Sequence, residues 1–125
     1  MEHKKALLCL ASLWTILIAV LCLVSFNSLP KIGISGADKY VHVTLHFVFT
    51  MLWAFYLKAK NPNSSNSLLK VVLAAVVYGI AIEIAQELFT TTRKADILDV
   101  LANTFGSVLA IIVILIGTKF SSKKI

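Results

Sequence analysis

Four long apolar stretches, separated by short polar segments, dominate the pattern of residues along the chain. The first, Ala6 to Val24, contains no charged residue and would form a helix about 28 Å long, which matches the hydrocarbon core of a bilayer. The intervening segments are rich in Pro, Gly, Asn and Ser, and such backbone is not stable in lipid. The pattern predicts an all-α bundle of four transmembrane helices, at about residues 6–24, 38–57, 68–89 and 96–118.

A cleaved signal peptide is the main alternative for the first stretch, because Lys4 and Lys5 precede it. We reject this alternative because the apolar run is longer than a usual signal core and no small-x-small cleavage site follows at residues 25–28. The composition agrees with a membrane protein, since 58% of the residues are hydrophobic and 14% are charged, against roughly a quarter charged in soluble domains. We predict one membrane domain over residues 1–125.

Basic residues are distributed unevenly between the two ends of the predicted bundle. The termini and the central connector carry eight lysines, whereas the other two loops carry four basic residues. Because cytoplasmic segments are enriched in Lys and Arg, we expect both termini to be cytoplasmic, in a multi-pass protein of the cytoplasmic or inner membrane. This distribution also explains the net charge of +6 without nucleic acid, which we exclude as a partner. Five of the six acids lie toward the other, non-cytoplasmic end.

The second predicted helix carries a polar stripe near its non-cytoplasmic end. Asp38, His42 and His46 are spaced by four residues, and Lys39 lies one position round the helix. Ionisable side chains inside a membrane span are costly and need a partner. The two histidines therefore either bond to a neighbouring helix or belong to a functional site, and both interpretations stay open.

The third predicted helix carries Glu83, Gln86 and Glu87 at a spacing that lets them share one face. Glu83 lies about 9 Å below the helix end, where an ionised carboxylate has to be paired, protonated or hydrated. Ala75 and Gly79 continue the spacing by four and would let a neighbouring helix approach the side that carries this carboxylate. We therefore predict Glu83 as a functional residue.

The fourth predicted helix opens with Arg93, Asp96, Asp99 and Asn103, and the last three fall on one face. Each charged residue also has a purely structural interpretation. Asp96 would be an N-cap, Asp99 would interact favourably with the helix dipole, and Arg93 would be their ion-pair partner. These structural roles stay open beside a functional one. Asn103 needs a hydrogen-bond partner in lipid. A ridge of small residues suited to tight helix packing runs beside it, at Ala102, Gly106 and Ala110.

Three blocks of this pattern together resemble the VanZ-like family of small bacterial membrane proteins. The blocks are Asp38-Lys39-x-x-His42, Glu83-x-x-Gln86 and Arg93-x-x-Asp96-x-x-Asp99-x-x-x-Asn103-x-x-Gly106. Their order and spacing agree over about residues 38–110, whereas His46 departs from the family, which more often shows an aromatic residue there. The resemblance implies a cell-envelope protein and weakly indicates antibiotic resistance, because the best-known member is associated with resistance to the glycopeptide teicoplanin. It implies no established reaction.

We predict an outward-facing polar pocket where the second, third and fourth helices meet. Its predicted residues are Asp38, Lys39, His42, Glu83, Gln86, Arg93, Asp96, Asp99 and Asn103. Cations and acids at one depth favour an anionic partner, with Lys39 and Arg93 holding the anionic group. The expected ligand is a membrane lipid head group, a lipid-linked cell-wall precursor or a glycopeptide-type antibiotic.

Two other functions stay open. An intramembrane enzyme could use His42 or Glu83 as a general base on a lipid-linked phosphate or acyl substrate, although the chain has no Gly-x-Ser-x-Gly or His-Glu-x-x-His motif. A structural scaffold would use the same residues only to lock the helices together, and a homo-oligomer is left open throughout. We predict no cofactor and no metal, because the potential ligands His42, His46, Glu83 and Asp99 have no sequence-local ligand spacing.

Overall fold

The computed structural model describes residues 2–23, 37–89 and 96–123, and these residues form four helices. Helix α1 is Glu2–Leu23, α2 is Ala37–Lys60, α3 is Ser67–Phe89 and α4 is Ile97–Lys123. All four are long and apolar enough to cross a membrane. The predicted class, an all-α bundle of four transmembrane helices, is confirmed.

All four helices extend beyond their predicted bounds, although α3 does so by only one residue, at Ser67. Helix α1 begins at Glu2 rather than Ala6, α2 continues to Lys60, and α4 continues to Lys123. The added turns carry charged residues with good helix propensity, and their backbone stays hydrogen-bonded where the apolar pattern has already ended. The N-cap of α3 is Asn66, since the Lys70 N–H donates to the Asn66 carbonyl at 3.0 Å.

Helix α2 occupies the centre of the bundle and packs against each of the other three helices. Its most extensive contact is with α4, which runs parallel to it, as the pairs His42 with Asn103 and Thr50 with Ser107 show. Helix α3 also contacts the other three, whereas α1 and α4 do not touch in the described part of the chain. The three helices predicted to carry the polar site, α2, α3 and α4, therefore all contact one another.

The close approach of α2 and α4 depends on Gly106. An added methyl group at this position would overlap the Val43 carbonyl oxygen and come within 3.0 Å of the carbonyl carbon. Ala110, one turn further along, is fully buried. Gly106, at the middle of the predicted small-residue ridge, therefore lies against the backbone of α2, and such close approach is how helices in lipid gain van der Waals contact.

The apolar core consists of two groups of side chains. One joins α1, α2 and α3 around Ile18, Phe49 and Ile82, and the other joins α2, α3 and α4 around Ala54 and Ile114. Large apolar side chains also cover the outer surface of every helix. In water such a surface would drive aggregation, whereas in a bilayer it faces the acyl chains.

Polar groups on α1 bind it to the bundle. The Trp14 indole donates to the Leu45 carbonyl at 2.9 Å, and the Tyr78 hydroxyl donates to the Thr15 carbonyl at 2.6 Å. Trp53 donates to the Thr15 hydroxyl, which itself donates to the Ala11 carbonyl. Helix α1 is therefore attached laterally to α2 and α3.

Replacing Gly106 by alanine tests the α2–α4 contact. Because the added methyl group overlaps backbone rather than a flexible side chain, we expect the variant to lose about 1–3 kcal/mol of stability or to fail to accumulate. Thermal unfolding of the detergent-purified protein measures this loss. Gly117→Ala is the matched control, because an added methyl group there meets nothing within 4 Å. Equal stability of the two variants would contradict the proposed packing.

Candidate functional site

Six polar side chains come together where the N-terminal ends of α2 and α4 meet the C-terminal end of α3. We call this group the polar cluster, and its members are Lys39, His42, Glu83, Asp96, Asp99 and Asn103. All six belong to the predicted site. The group lies at the end of the bundle opposite the N-terminal end of α1 and the C-terminal end of α4.

The outer layer of the cluster is an ion-paired lysine. The Lys39 ammonium donates to Asp96 Oδ2 at 2.8 Å and also to Asp99 Oδ1. The Lys39 and Asp96 side chains are 30% and 40% exposed, whereas Asp99 is 10% exposed. The hydrogen bond from Lys39, helped by one from the Leu98 N–H, holds the pKa of Asp96 below its ordinary value. This layer therefore lies at the accessible rim of the cluster.

Two carboxylates define the start of α4. Asp96 is its N-cap, because Asp96 Oδ1 accepts a hydrogen bond from the Leu98 N–H at 2.9 Å. The Asp96 N–H in turn donates to Glu83 Oε2 of α3 at 3.0 Å. Asp99 adds a third acid in the first turn, where the helix dipole favours negative charge. Asp96 therefore has both a capping role and a role in the cluster.

The inner layer is centred on His42, which is 4% exposed. Its Nδ1 atom lies 3.0 Å from Asn103 Oδ1, and its Nε2 atom lies 3.6 Å from Asp99 Oδ2. Because the Asn103 oxygen can only accept, the Nδ1 atom carries the proton of this hydrogen bond. The ring is thereby fixed, with Nε2 directed toward the carboxylate of Asp99.

Several buried polar atoms of this region have no hydrogen-bond partner among the described residues. They are Glu83 Oε1 and Asn103 Nδ2 in the cluster, and both ring nitrogens of His46 one turn deeper. Gly79 lies next to both Asn103 and His46, since a methyl group there would be 3.0 Å from Asn103 Nδ2 and 3.4 Å from His46 Nε2. Buried polar atoms normally find partners, so these atoms point to an unassigned role.

The His46 ring makes no ion pair or hydrogen bond with any side chain of the cluster among the described residues. Its ring is buried and lies against the rings of Phe49 and Tyr78, with centroids 5.8 and 6.3 Å away. It thus occupies an aromatic environment, at the position where the resemblance expects an aromatic residue.

Of the remaining predicted site residues, the structure places Gln86 apart from the cluster. The Gln86 amide donates to the Cys22 carbonyl at 2.7 Å and so helps to attach α1 to α3. Glu87, expected to share a face with Glu83 and Gln86, is exposed, whereas they are buried. Asp38 contributes backbone to α2, but its side chain lies outside the described residues, as does all of Arg93.

Thr50 and Ser107 form a buried pair that the sequence analysis did not single out. The Thr50 hydroxyl donates to the Ser107 hydroxyl at 2.8 Å, and both side chains are fully buried. They continue the polar stripes of α2 and α4, each four residues beyond His46 and Asn103 respectively. This spacing of four residues is the feature of the sequence from which the pair could have been predicted. The pair stabilises the α2–α4 contact below the cluster.

The charges and ligand atoms of the cluster limit what it can bind. Within it, the carboxylates of Glu83, Asp96 and Asp99 accompany one ammonium group, so the acids are in excess. One ring nitrogen of His42 and one oxygen each of Glu83 and Asp99 lie within 4.8 Å of one another. Such a group can transfer a proton, accept hydrogen bonds from a ligand, or hold a cation.

These features define a class of protein: a four-helix membrane protein with an acid-rich polar cluster buried at one end. The sequence model of the VanZ/LLP1 family matches residues 7–118. The chain belongs to this family, as the spacing of its polar residues predicted. No match was found among curated proteins or solved structures.

Asp96→Asn and Asp96→Ala separate the two roles of Asp96. Asparagine caps a helix about as well as aspartate but cannot pair electrostatically with Lys39, whereas alanine loses both interactions. We expect the alanine variant to unfold at a lower temperature than the asparagine variant.

The lowered pKa of Asp96 also predicts how stability depends on pH. The ordinary pKa of this carboxyl is 3.8, and its pKa in the folded protein is lower. The wild type should therefore lose stability as the pH falls below 3.8 and passes through the pKa of the folded protein. An identical acid response in Asp96→Asn would contradict this assignment.

Proposed function

We propose that this protein binds the phosphate-bearing head group of an envelope lipid or lipid-linked cell-wall precursor at the polar cluster. The end of the bundle that carries the polar cluster would then face outward, and both chain termini would lie in the cytoplasm of a bacterium. The fold supports this proposal, because it is that of a multi-pass membrane protein with a polar cluster at one end.

One observation carries the proposal: polarity continues from an accessible rim to a buried floor between three helices. Side-chain exposure falls from 40% at Asp96 and 30% at Lys39 to 5% at His42. A lipid head group would enter from the membrane interface. It would therefore meet the exposed residues of the cluster first and the buried ones last. At the floor, the unpartnered Asn103 Nδ2 can donate and the unpartnered Glu83 Oε1 can accept.

The proposed ligand needs both a phosphate and groups that donate hydrogen bonds. Lys39 lies at the rim, and Arg93 and Lys94 precede Asp96 by three and two residues. In our proposal these cations attract the phosphate, while hydroxyl or ammonium groups of the head group bond to Glu83. A ligand of this kind uses the acids of the cluster as well as the cations.

The orientation of the bundle can be tested separately. Alkaline phosphatase fused after Lys123 should be inactive, and green fluorescent protein at the same position should be fluorescent, because the first folds outside and the second inside the cytoplasm. The distribution of basic residues supports this outcome. Active phosphatase at this position would place the polar cluster on the cytoplasmic side and refute an outward-facing site.

Lipid binding is tested by mass spectrometry of lipids retained on the gently purified protein, compared with the total membrane extract. We expect the wild type to enrich one phosphate-bearing lipid class. Arg93→Ala and Glu83→Gln should reduce that enrichment by about tenfold each, since a hydrogen bond to a charged group contributes roughly 1.5–3 kcal/mol. Glutamine at position 83 can still accept from the Asp96 N–H, which preserves the start of α4.

Lys58→Ala and Glu87→Gln are the matched controls. Lys58 lies at the opposite end of α2, and Glu87 is an exposed acid one turn from Glu83. Unchanged enrichment in Arg93→Ala and Glu83→Gln, with normal accumulation, would overturn the proposal. Failure of both variants to accumulate would instead support a structural scaffold. Retention of a glycopeptide rather than a lipid, lost in the same variants, would identify an antibiotic as the ligand.

An acid–base enzyme is the second candidate, and the geometry of His42 favours it. Asn103 fixes the ring, and Nε2 faces Asp99, so His42 is oriented as a general base requires. The substrate would be a lipid-linked phosphate or acyl group. Turnover of such a lipid by the purified protein, lost in His42→Gln, distinguishes this candidate from simple binding.

A further inference from the structure

We propose that His42, Glu83 and Asp99 form a binding site for one divalent transition-metal ion. One potential ligand atom from each of the three residues lies within 4.8 Å of the others. Taken as whole residues, all three are buried, at 4%, 2% and 7% exposure, and each belongs to a different helix. A metal ion at this position would therefore join α2, α3 and α4.

The hydrogen bond from His42 Nδ1 leaves the other ring nitrogen, Nε2, available to bind a metal ion. Metal-binding histidines typically donate one ring N–H to a carbonyl or carboxylate oxygen and bind the ion through the other nitrogen. Here Nδ1 donates to Asn103 Oδ1 at 3.0 Å, so the lone pair is on Nε2. Nε2 is the atom that faces Asp99. Asn103 thus acts as a positioning residue for the ligand nitrogen.

The separation of Nε2 and Asp99 Oδ2 fits metal ligands better than a hydrogen bond. The 3.6 Å distance exceeds the usual range for a donated N–H. Two nitrogen or oxygen atoms bound to one tetrahedral zinc ion are roughly 3.4 Å apart, given bonds of about 2.0–2.1 Å. Only a small movement of either side chain would let both atoms bind the same ion.

Glu83 supplies an independent observation that points to a ligand. Its Oε2 atom accepts from the Asp96 N–H, whereas its buried Oε1 atom has no partner among the described residues. An ionised carboxylate oxygen is costly to bury without a partner. A metal ion bound by Oε1 would supply the missing partner.

The ligand set indicates the class of metal. One imidazole and two carboxylates suit Zn²⁺, Mn²⁺ or Fe²⁺, whereas Mg²⁺ and Ca²⁺ prefer oxygen ligands alone. Three protein ligands also leave at least one coordination position for an external group. A phosphate oxygen of the head group is suited to this position, and in this respect alone the inference rests on the proposed function.

Metal binding is tested on the full-length protein without a polyhistidine tag, delipidated in detergent and treated with chelator. After equilibration with Zn²⁺ and removal of free metal, elemental analysis should find one ion per chain. Co²⁺ should bind with the visible absorption of a nitrogen- and oxygen-ligated ion, and Zn²⁺ should displace it. Glu83→Gln should weaken Zn²⁺ binding by more than about tenfold.

Two matched controls exclude binding elsewhere. Glu87→Gln removes an exposed acid of the same helix, and His3→Ala removes an exposed histidine near the N-terminus, so both should bind Zn²⁺ like the wild type. Loss of Zn²⁺ in either control, or no saturable binding of Zn²⁺, Mn²⁺ or Fe²⁺ by the wild type, would overturn the proposal.

The wild-type Co²⁺ spectrum keeps the test informative where Glu83→Gln fails to fold. Co²⁺ that binds without the spectrum of an imidazole-ligated ion would also contradict the proposed site. Because no lipid is present, failure to bind metal leaves the lipid enrichment of the proposed function untouched. Conversely, a protein that binds Zn²⁺ but enriches no lipid would refute the proposed function alone.

Discussion

Close contact between α2 and α4 determines where the polar side chains of this protein meet. The two helices run parallel, and Gly106 allows the backbone of α4 to lie directly against Val43. At this separation the short side chain of Asn103 reaches the ring of His42, and Asp99 reaches Lys39. A larger residue at position 106 would separate both pairs at once. The polar cluster therefore depends on a position that carries no chemistry of its own, because hydrogen bonds require distances that only close packing provides.

The number of helices could be predicted because lipid imposes a simple length requirement on apolar sequence. Their ends could not, since hydrophobicity reports where lipid contact stops, whereas backbone hydrogen bonding continues into the charged turns that end at Lys60 and Lys123. The start of α3 shows the same limit on a smaller scale. Ser67 and Asn66 are both good capping residues, and only the hydrogen bond from Lys70 identifies Asn66 as the cap. Orientation relative to the membrane remains a prediction from the distribution of basic residues.

The depth of each polar residue could be predicted from its position along a helix, and this was enough to group Glu83, His42 and Asp99. Their pairings could not be predicted, because they depend on the rotation of three helices about their axes. Spacing alone does not show that Asn103 fixes the His42 ring, or that Gln86 bonds to α1. For the same reason the sequence offered no metal site, since potential ligands on three separate helices have no spacing to recognise.

The lateral position of α1 has a consequence for biosynthesis. Helix α1 precedes the other three in the chain and, among the described residues, contacts α2 and α3 but not α4. It therefore enters the bilayer before the Leu45 carbonyl, the acceptor of its Trp14 indole, has been synthesised. Thr15 needs no partner from another helix at this stage, because its hydroxyl donates to the Ala11 carbonyl of the same helix. Until α2 has been synthesised, α1 therefore satisfies Thr15 within its own helix but lacks the acceptor that Trp14 has in the folded bundle.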